Sequence, residues 1–522
     1  MGVLILFLSS KEKVRLGFLV SGFILCAFSF LLRPSGFLCG AAVTGFVCLL
    51  YILFESGKAV FADNKKRIVV FVSLAVMIAA LFAADELMWR SDETAFAARE
   101  YNSARLSISD YFLPSYAENR ETYEALGVSA NDVKIIDSWS FGDTEIYNTE
   151  LLEAIHEIPN QRGAADWLTQ FAATVIEIDV LSVSFYAAVA LVVLSFFICE
   201  KKEKIVCILS LVFYYVVVIS LCVVGRTTRW VETGMLCALC GALLATLSQS
   251  KREISPRSEK IIATVLISAS LVFAVAYNYP KATSEEVWKS SSVTKTYGEF
   301  TAKSENLYLC DLSTMPALER GFETFERVPQ GFFSNIYLLG GWDTGLKVKN
   351  DVLVRYKVTS PYAALLEKDN VFLVDSFGYE SKAQVVREHV SETARYSLYE
   401  TISGQYVFVF ADNKNADKMI PEIEITAADS ELLDINNSFL RIYVSAKVEL
   451  EYKNAYIMLR SKSNDTNLTY RAYVLYNENG ESGFSITPPK LDVLGEEYDM
   501  FVLLETEDGT ISSSSEAFLF KT

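Results

Sequence analysis

The chain has 522 residues, of which 51% are hydrophobic and 21% are charged, and its formal net charge is −17. This length leaves room for two to four domains. Long uncharged stretches stand beside acidic, polar ones, which excludes both a wholly soluble globular protein and a disordered chain. The negative charge also argues against nucleic acid as a partner, because phosphate backbones need a basic protein face.

Seven apolar segments have roughly the 20-residue length that a helix needs to cross a bilayer. We therefore predict an α-helical polytopic membrane bundle of about seven spans, with the lipid bilayer as a partner. Spans 1–3 lie in residues 1–84, and spans 4–7 lie in residues 180–279. The predicted spans are residues 16–32, 36–54, 69–84, 180–199, 205–224, 230–247 and 261–277.

Lysine and arginine in the short loops predict the orientation of these spans, because cytoplasmic loops carry an excess of both residues. If the spans alternate, fourteen basic residues fall on one side of the membrane and three on the other. We therefore predict a multi-pass protein of the plasma membrane with a cytoplasmic N-terminus. Segments 85–179 and 280–522 then lie outside the cell membrane.

The first outer segment, residues 85–179, has the pattern of a helical region. Ser129 and Asp132 have the spacing of a capping box ahead of an apolar-periodic run. A second amphipathic helix is predicted to begin at Thr149. The segment is too short and too polar for a large core, so we expect it to lie on the outer face of the bundle.

The second outer segment changes from alternating strand and helix to nearly all strand. Residues 280–415 are predicted to form a small outer α/β domain, and residues 416–522 an immunoglobulin-like β-sandwich. The α/β elements are strands at 306–310, 370–374 and 405–410 and a helix at 383–390. The sandwich strands are at 440–450, 469–476, 500–504 and 517–520, with a turn at 477–480.

Metal and redox chemistry have little support in the sequence. The chain has two histidines, His156 and His389, which stand far apart and argue against a zinc site or a Ser-His-Asp triad. Cys237 and Cys240 have the spacing of a redox or metal pair, but small packing residues are the simpler interpretation on a membrane helix. We therefore predict no metal site, and the sequence identifies no cofactor.

Three arginines at the outer membrane face are the first candidates for function, because charged residues are rare there and usually functional. Arg33 stands between spans 1 and 2, and Arg226 and Arg229 stand between spans 5 and 6. Guanidinium groups bind phosphate in a bidentate manner, so these arginines are predicted to bind the phosphate of a lipid-linked sugar. The alternatives are contact with ordinary lipid phosphates, or an Arg229–Glu232 pair.

Two acidic residues, Asp85 and Glu86, lie at the outer end of the third predicted span. A carboxylate at this position is a candidate general base for an acceptor hydroxyl group. The alternative, which the sequence favours, is a solvated helix end beside Arg90.

Polar residues and a tryptophan mark two further candidate sites in the outer segments. Asn102, Arg105, Asp110 and Tyr111 form a polar cluster, either for binding an acceptor or diphosphate or for ordering the loop through an arginine–aspartate pair. Trp342 follows two glycines at the end of an apolar strand. Its ring either stacks on a sugar or belongs to a packed turn.

The order of these features resembles that of a group of bacterial polytopic membrane proteins that look like C-fold (GT-C) glycosyltransferases. The motifs that carry the resemblance are FLLRPSG at 30–36, the residues at 102, 105, 110 and 111, the segment 123–132, GRTTR at 225–229, NIYLLGGW at 335–342, SP at 360–361 and DNVFL at 369–373. Together they extend over about residues 10–411.

The resemblance implies transfer of a sugar from a polyprenyl-phosphate donor at the outer membrane face, during cell-surface glycan assembly. Such enzymes act by positioning, with a carboxylate as base and cations that stabilise the leaving phosphate. Arg33, Arg226 and Arg229 are the positions that match the cationic role.

The chain departs from that family at its first outer loop, where such proteins carry an acidic motif and nothing here corresponds to it. This departure favours a truncated or inactive form. The alternative is a non-enzymatic, membrane-anchored surface protein whose outer domains bind a glycan or a protein partner, since the β-sandwich lies outside the resemblance. A transporter coupled to ions is disfavoured, because the spans are nearly free of charge at mid-membrane depth.

Overall fold

The computed structural model divides the chain into two compact units. The membrane unit is Met1–Phe96, Asp110–Phe112 and Asn160–Val287, and the sheet unit is Ala97–Ser109, Leu113–Pro159 and Trp288–Thr522. The described residues are 2–9, 16–56, 65–111, 113–159, 164–176, 182–225, 229–248, 291–315, 330–415, 418–420, 423–433 and 438–521. The predicted span at 261–277 and the predicted phosphate ligand Arg226 lie outside these residues.

Helices follow one another through the described residues from 2 to 248. Runs of Leu, Val, Ala and Phe without interior proline favour them, and Pro34 stands at the first position of a helix, where its missing N–H is tolerated. In chain order they are α1 Gly2–Ser9, α2 Leu16–Leu32, α3 Pro34–Ser56, α4 Lys65–Arg90, α5 Glu93–Ser109, α6 Arg120–Ala125, α7 Ala130–Asp137, α8 Thr149–His156, α9 Ala164–Thr174, α10 Val183–Ile198, α11 Lys201–Val224 and α12 Arg229–Ser248.

Four of the described helices are long and apolar enough to cross a membrane. They are Pro34–Phe54, Lys65–Arg90, Lys201–Val224 and Val231–Ser248, and two shorter apolar helices are Leu16–Leu32 and Ser184–Ile198. On α4 the side chains of Val69, Val72 and Val76 are exposed, as contact with lipid requires. The chain therefore has a helical membrane part whose apolar helices indicate contact with a bilayer.

The two cysteines with redox-pair spacing contact a neighbouring membrane helix. Cys237 Sγ lies 3.6 Å from Ser184 Oγ, and Cys240 Sγ donates to the Ser184 carbonyl oxygen at 3.3 Å. Both contacts join α12 to α10. They favour the interpretation of these cysteines as packing residues between helices.

The sheet unit contains a five-stranded sheet in the spatial order β2-β1-β3-β5-β4. Strands β1, β2 and β3 run parallel, β5 is antiparallel to β3, and β4 is antiparallel to β5. The elements are α13 Ser291–Thr301, β1 Leu307–Cys310, β2 Ile336–Leu338, α14 Lys347–Arg355, α15 Pro361–Glu367, β3 Val371–Val374, α16 Tyr379–His389, β4 Arg395–Ile402 and β5 Gln405–Ala411.

Both faces of this sheet are covered, because successive residues of a strand point to opposite sides. On one face, Leu309 of β1 packs in a core with Ile135 of α7 and Leu152 of α8. On the other face, Tyr308 of β1 packs in a second core with Phe300 of α13. The result is a three-layer α/β arrangement.

The region predicted as an outer helical segment, residues 85–179, does not stand alone in the structure. Helices α7 and α8 form one layer of the α/β core, whereas α9 belongs to the membrane unit. The predicted capping box is confirmed: Asp132 N–H donates to Ser129 Oγ at 3.0 Å, and Ser129 N–H donates to Asp132 Oδ2 at 2.8 Å. The predicted helix at Thr149 is confirmed as α8.

Two further sheets form a β domain at the C-terminal end of the described chain. One has the order β10-β9-β13-β14-β6 with β15 beside β13, and the other has the order β11-β12-β8-β7. Ile442 and Phe484 of the four-stranded sheet share a core with Ile457 and Val502 of the other. The elements are β6 Lys418–Ile420, β7 Glu424–Leu432, β8 Leu440–Lys447, β9 Asn454–Ser461, β10 Asn467–Arg471, β11 Tyr473–Glu478, β12 Glu481–Ile486, α17 Lys490–Val493, β13 Glu497–Glu505, β14 Ile511–Ser514 and β15 Phe518–Lys521.

The single strand predicted at 469–476 is two strands in the structure. The chain leaves the six-stranded sheet at Ala472, whose N–H donates to the Ala455 carbonyl oxygen at 2.9 Å, and joins the four-stranded sheet as β11. Apolar residues continue through this crossing, so the pattern did not reveal it. The predicted turn at 477–480 is confirmed, with Asn479 at φ 56° and Gly480 at φ 77°.

Candidate functional site

Arg33 is exposed at the junction of α2 and α3. Its N–H donates to the Ser29 carbonyl oxygen at 3.1 Å, and its own carbonyl accepts from Phe37 N–H at 3.0 Å, so helical hydrogen bonds continue past the junction. The Arg33 side chain lies along Gly36, where a Cβ atom would be 3.6 Å from Arg33 Cδ. The helix junction therefore presents one guanidinium group at the end of two apolar helices.

A cavity of about 280 Å³ opens beside Arg33, between α1, α2, α3 and α12 of the membrane unit. Its walls include Gly36 and Gly40 of α3 and Gly234 and Ala238 of α12. These small residues let the two helices approach closely, since a Cβ atom at Gly40 would lie 3.7 Å from Ala238 Cβ. A ligand that fits this cavity is amphipathic, with an apolar part along the helices and an anionic group at Arg33.

The start of α12 lies at the same cavity. The helix begins at Arg229, two residues before Val231, which lines the cavity. A helix N-terminus carries partial positive charge and favours anions. Glu232 in the first turn is fully buried. The side chain of Arg229 lies outside the described part of the chain, so its contact with phosphate, or with Glu232, stays a prediction.

The two acidic candidates lie inside α4, because this helix continues to Arg90 instead of ending near residue 84. Arg90 Nε donates to Glu86 Oε1 at 2.6 Å, and the Arg90 guanidinium lies 5.3 Å from the ring centre of Phe96. Glu86 thus forms an ion pair with a residue one helical turn away. This contact favours the alternative of a solvated helix end beside Arg90. Asp85 is the more exposed of the two acids.

The structure brings three of the predicted residues together in the sheet unit. The guanidinium carbon of Arg105 lies 4.8 Å from the ring centre of Trp342. Arg105 Nε donates to Asn102 Oδ1 at 3.2 Å, and Asn102 Nδ2 donates to the Thr344 carbonyl oxygen at 2.9 Å. Two candidate sites that stand far apart in the sequence therefore form one site, which we call the Arg105 cluster.

The other two residues of the predicted polar cluster, Asp110 and Tyr111, belong to the membrane unit. The cluster predicted from the sequence is therefore divided between the units. Within the sheet unit, Arg105 Nη1 donates to Ser109 Oγ at 3.0 Å, a bond between residues one helical turn apart on α5.

Trp139 completes the Arg105 cluster and was missed in the sequence. Its ring centre lies 5.1 Å from the guanidinium carbon of Arg105 and 5.1 Å from the ring centre of Trp342. Arg105 is 1% exposed, whereas Trp342 is 61% exposed. The cation is enclosed between aromatic rings while one indole faces solvent. A lone tryptophan in a loop has no spacing that could predict such a contact.

Two glycines fix the turn that carries Trp342. A Cβ atom at Gly340 would collide with the carbonyl oxygen of Trp139, and Gly341 has φ 104°, which favours glycine. Lys349 is buried and donates to the Gly340 carbonyl oxygen. Burial lowers the pKa of Lys349 below its ordinary value, although the adjacent Asp343 carboxylate opposes the shift. Contacts within the protein thus fix the conformation of this turn without a ligand.

A buried ion cluster lies at the carboxyl ends of the parallel strands β1 and β3. Asp311 follows β1, Asp375 follows β3, and Lys382 Nζ lies 2.6 Å and 2.7 Å from their carboxylate oxygens. Burial opposes ionisation of Asp311, but Lys382 and the hydrogen bonds from Ser313 outweigh it and hold the pKa of Asp311 below 3.8. All three charged groups are buried, and the lysine and the two carboxylates compensate each other's lost hydration.

Among the described residues, Asp132, Glu388 and His389 form the one group with the spacing of a metal site. Asp132 Oδ1 accepts from the Tyr147 hydroxyl group at 2.8 Å and lies 2.8 Å from His389 Nε2. Its other oxygen accepts from the Ser129 N–H at 2.8 Å. Both carboxylate oxygens are already in use, and the geometry is that of an ion pair between α7 and α16.

No protein-family model, curated protein or solved structure matches this chain. The resemblance to GT-C glycosyltransferases therefore stays a prediction that its motifs carry.

Proposed function

We propose that the chain is an integral membrane, glycosyltransferase-like protein that uses a polyprenyl-phosphate-linked sugar at the outer membrane face for cell-surface glycan assembly. The observation that carries the proposal is the cavity with Arg33 beside it. A polyprenyl phosphate requires an apolar channel and a cation for its phosphate group. Small residues on α3 and α12 supply the channel, and Arg33 supplies the cation.

The predicted site residues have distinct roles in the proposal. Arg33, Arg226 and Arg229 stabilise the negative charge that develops on the leaving phosphate. Asp85 is the acidic residue that we retain as the base, because it is more exposed than Glu86. An inactive form of the protein would bind the donor and leave its sugar in place.

The proposed topology has more spans than the four long helices. Seven spans result when the shorter apolar helices α2 and α10 and the segment 261–277 are added to them. The basic loops favour a plasma membrane protein with a cytoplasmic N-terminus and the domains after residue 280 outside. The shared core between two packed sheets supports an immunoglobulin-like class for the β domain.

The test is binding of farnesyl phosphate, a short polyprenyl phosphate, to the full chain in detergent, with farnesol as the uncharged probe. Arg33→Gln is expected to weaken farnesyl phosphate binding roughly tenfold, because a charge-assisted contact is lost. Farnesol binding is expected to stay the same. Arg90→Gln is the matched control, since Arg90 is also an exposed arginine at a helix end but pairs with Glu86.

Two results contradict this proposal. One is unchanged farnesyl phosphate binding in Arg33→Gln, and the other is an equal loss in Arg90→Gln. Both variants must insert in membranes as the original chain does, which fractionation of the cells measures.

The second candidate function is a non-enzymatic surface protein whose outer domains bind a glycan or a protein partner. The exposed indole of Trp342, on a turn held by two glycines, favours it. Under this function, Trp342→Ala lowers binding of a neutral oligosaccharide such as cellotetraose, and Arg33→Gln leaves it unchanged. Farnesyl phosphate binding that depends on Arg33 favours the first function instead.

A further inference from the structure

A polar cavity of about 230 Å³ lies in the sheet unit and shares no lining residue with the Arg105 cluster. One wall is β4 of the five-stranded sheet, and the other is the four-stranded sheet of the β domain together with Arg471 at the end of β10. None of the motifs found in the sequence points to this place. We call it the β4 cavity.

Strand register forms the floor of the β4 cavity. Phe484 and Ile486 point into the core between the two sheets, so Ser485 between them points away from it. Ser485 pairs with Tyr473 of β11 on one side and with Tyr443 of β8 on the other. Paired residues share a face, so one small residue stands between two tyrosines and leaves a depression.

The opposite wall is held in place by contacts that already exist. Leu398 N–H of β4 donates to the Thr487 carbonyl oxygen at 2.9 Å. The ring of Tyr399 meets the ring of Tyr473 edge to face, with centres 5.1 Å apart. Tyr473 is 43% exposed, so its ring is still accessible. A pre-formed cavity of this kind loses little conformational freedom when a ligand binds.

Although the whole chain carries −17, the charged residues that line the β4 cavity are cationic. The residues lining it that are charged at neutral pH are Arg441 and Arg471. Arg471 donates to the Asp369 carbonyl oxygen at 2.6 Å and to Asn454 Oδ1 at 3.4 Å, and Arg441 lies 3.7 Å from Glu431. A guanidinium group has five N–H donors, so both arginines keep donors for a ligand.

Two hydroxyl groups add to this set. Ser485 and Thr487 are buried residues of the lining, and among the described residues neither hydroxyl group has a hydrogen-bond partner. Both residues line the cavity, and a hydroxyl group can donate one hydrogen bond and accept others from a ligand there. The β4 cavity thus combines aromatic rings, arginines and hydroxyl groups that can form hydrogen bonds with a ligand.

We propose that the β4 cavity binds a sugar residue that carries a carboxylate, as in a uronic acid unit of an acidic glycan. Arg441 and Arg471 bind the carboxylate, which matches the fork of a guanidinium group. Tyr473 packs against the apolar face of the sugar ring, and Ser485 and Thr487 bond to its hydroxyl groups. This inference does not rest on the phosphate site of the membrane unit.

The test measures binding of tetragalacturonate to the full chain in detergent, with the neutral galactotetraose as the comparison. Arg441→Met is expected to weaken tetragalacturonate binding roughly tenfold or more, because a charge-assisted contact is lost. Galactotetraose binding is expected to change less than about twofold. Tyr473→Ala is expected to weaken tetragalacturonate binding roughly fivefold through loss of the ring contact.

Arg460→Met is the matched control, because Arg460 is a partly exposed arginine on β9 of the other sheet and pairs only loosely with Asp465. It is expected to leave tetragalacturonate binding unchanged, as is Arg33→Gln. The proposal is overturned if tetragalacturonate does not bind at about 10 mM. It is also overturned if Arg441→Met and Arg460→Met have equal effects, or if Arg441→Met affects both tetrasaccharides alike. Thermal unfolding of each variant shows that it is folded.

Discussion

Arg33 of the membrane unit and Lys382 of the sheet unit are cations in opposite environments. Arg33 is exposed beside a cavity of the membrane unit. Lys382 of the sheet unit is 3% exposed and lies between two aspartates. A buried charge is tolerated only when partners compensate its lost hydration, so its capacity for contacts is already used. Accessibility, more than charge itself, therefore separates a candidate ligand site from ions that hold the fold.

Lys382→Met tests this contrast with the largest expected effect. The substitution leaves Asp311 and Asp375 buried without their cation, which is expected to lower the free energy of unfolding by about 3–5 kcal/mol. Chemical unfolding of the full chain, followed by tryptophan fluorescence, measures the loss.

Lys347→Met is the control for that experiment. Lys347 lies 3.6 Å from Asp351 on α14, and both side chains are largely exposed. Such a pair contributes about 0–1 kcal/mol, so its removal is expected to have little effect. Similar losses for the two variants would show that the Asp311–Lys382–Asp375 cluster does not hold the fold.

The Asp132–His389 pair makes the stability of the sheet unit depend on pH. A hydrogen bond to Asp132 raises the pKa of His389 above 6.5. Burial opposes ionisation of Asp132, but its bonds to His389 and to the Ser129 N–H lower its pKa below 3.8. The histidine's contribution is complete below pH 6.5 and is lost as the pH rises through its raised pKa. The aspartate's contribution is present above pH 3.8 and is lost as the pH falls through its lowered pKa.

The pair is therefore expected to stabilise the protein most between pH 3.8 and 6.5, by roughly 1.5–2 kcal/mol. Melting temperatures measured across the pH range, for the original chain and for His389→Gln, check this window. The variant is expected to lose stability inside the window and to match the original chain well above it. A constant difference at every pH would mean that the ion pair is not the cause.

A double-mutant cycle on Arg105 and Trp342 tests a smaller effect in the same unit. Enclosure of the guanidinium group by the indole predicts a coupling free energy of about 0.5–1.5 kcal/mol between Arg105→Met and Trp342→Ala. Unfolding of the two single variants and the double variant measures it. Additive losses would show that Trp342 is a surface residue without influence on Arg105.

The elements of the fold follow from the sequence wherever the signal is local. Apolar runs of spanning length predict α3, α11 and α12, and the spacing of Ser129 and Asp132 predicts a helix start. The α/β core could not be predicted as a whole, because α7 and α8 pack against strands, Leu307–Cys310 and Val371–Val374 among them, that come far later in the chain. The break at Ala472 was hidden because apolar residues continue from one sheet into the next.

The candidate sites, too, could be predicted only where the signal is local. Arg33 could be singled out because a charged residue between two apolar runs is rare, and Trp342 because the two glycines before it signal a turn. That Arg105, Trp139 and Trp342 meet depends on tertiary contacts that no spacing records. The β4 cavity depends on strand register across two sheets, which a single sequence does not reveal.

Glu86→Gln has the smallest expected effect and returns to the membrane unit. The Glu86–Arg90 pair joins residues one turn apart with exposed side chains, so its loss is expected to change the free energy of unfolding by about 0.3–0.5 kcal/mol. In a sugar-transfer assay on membranes, Asp85→Asn is expected to abolish transfer and Glu86→Gln to retain it, with farnesyl phosphate binding kept in both. Lost transfer in Glu86→Gln alone would assign the base to Glu86. Accessibility would then fail as a criterion in the membrane unit, because a residue already engaged in an ion pair would carry the chemistry.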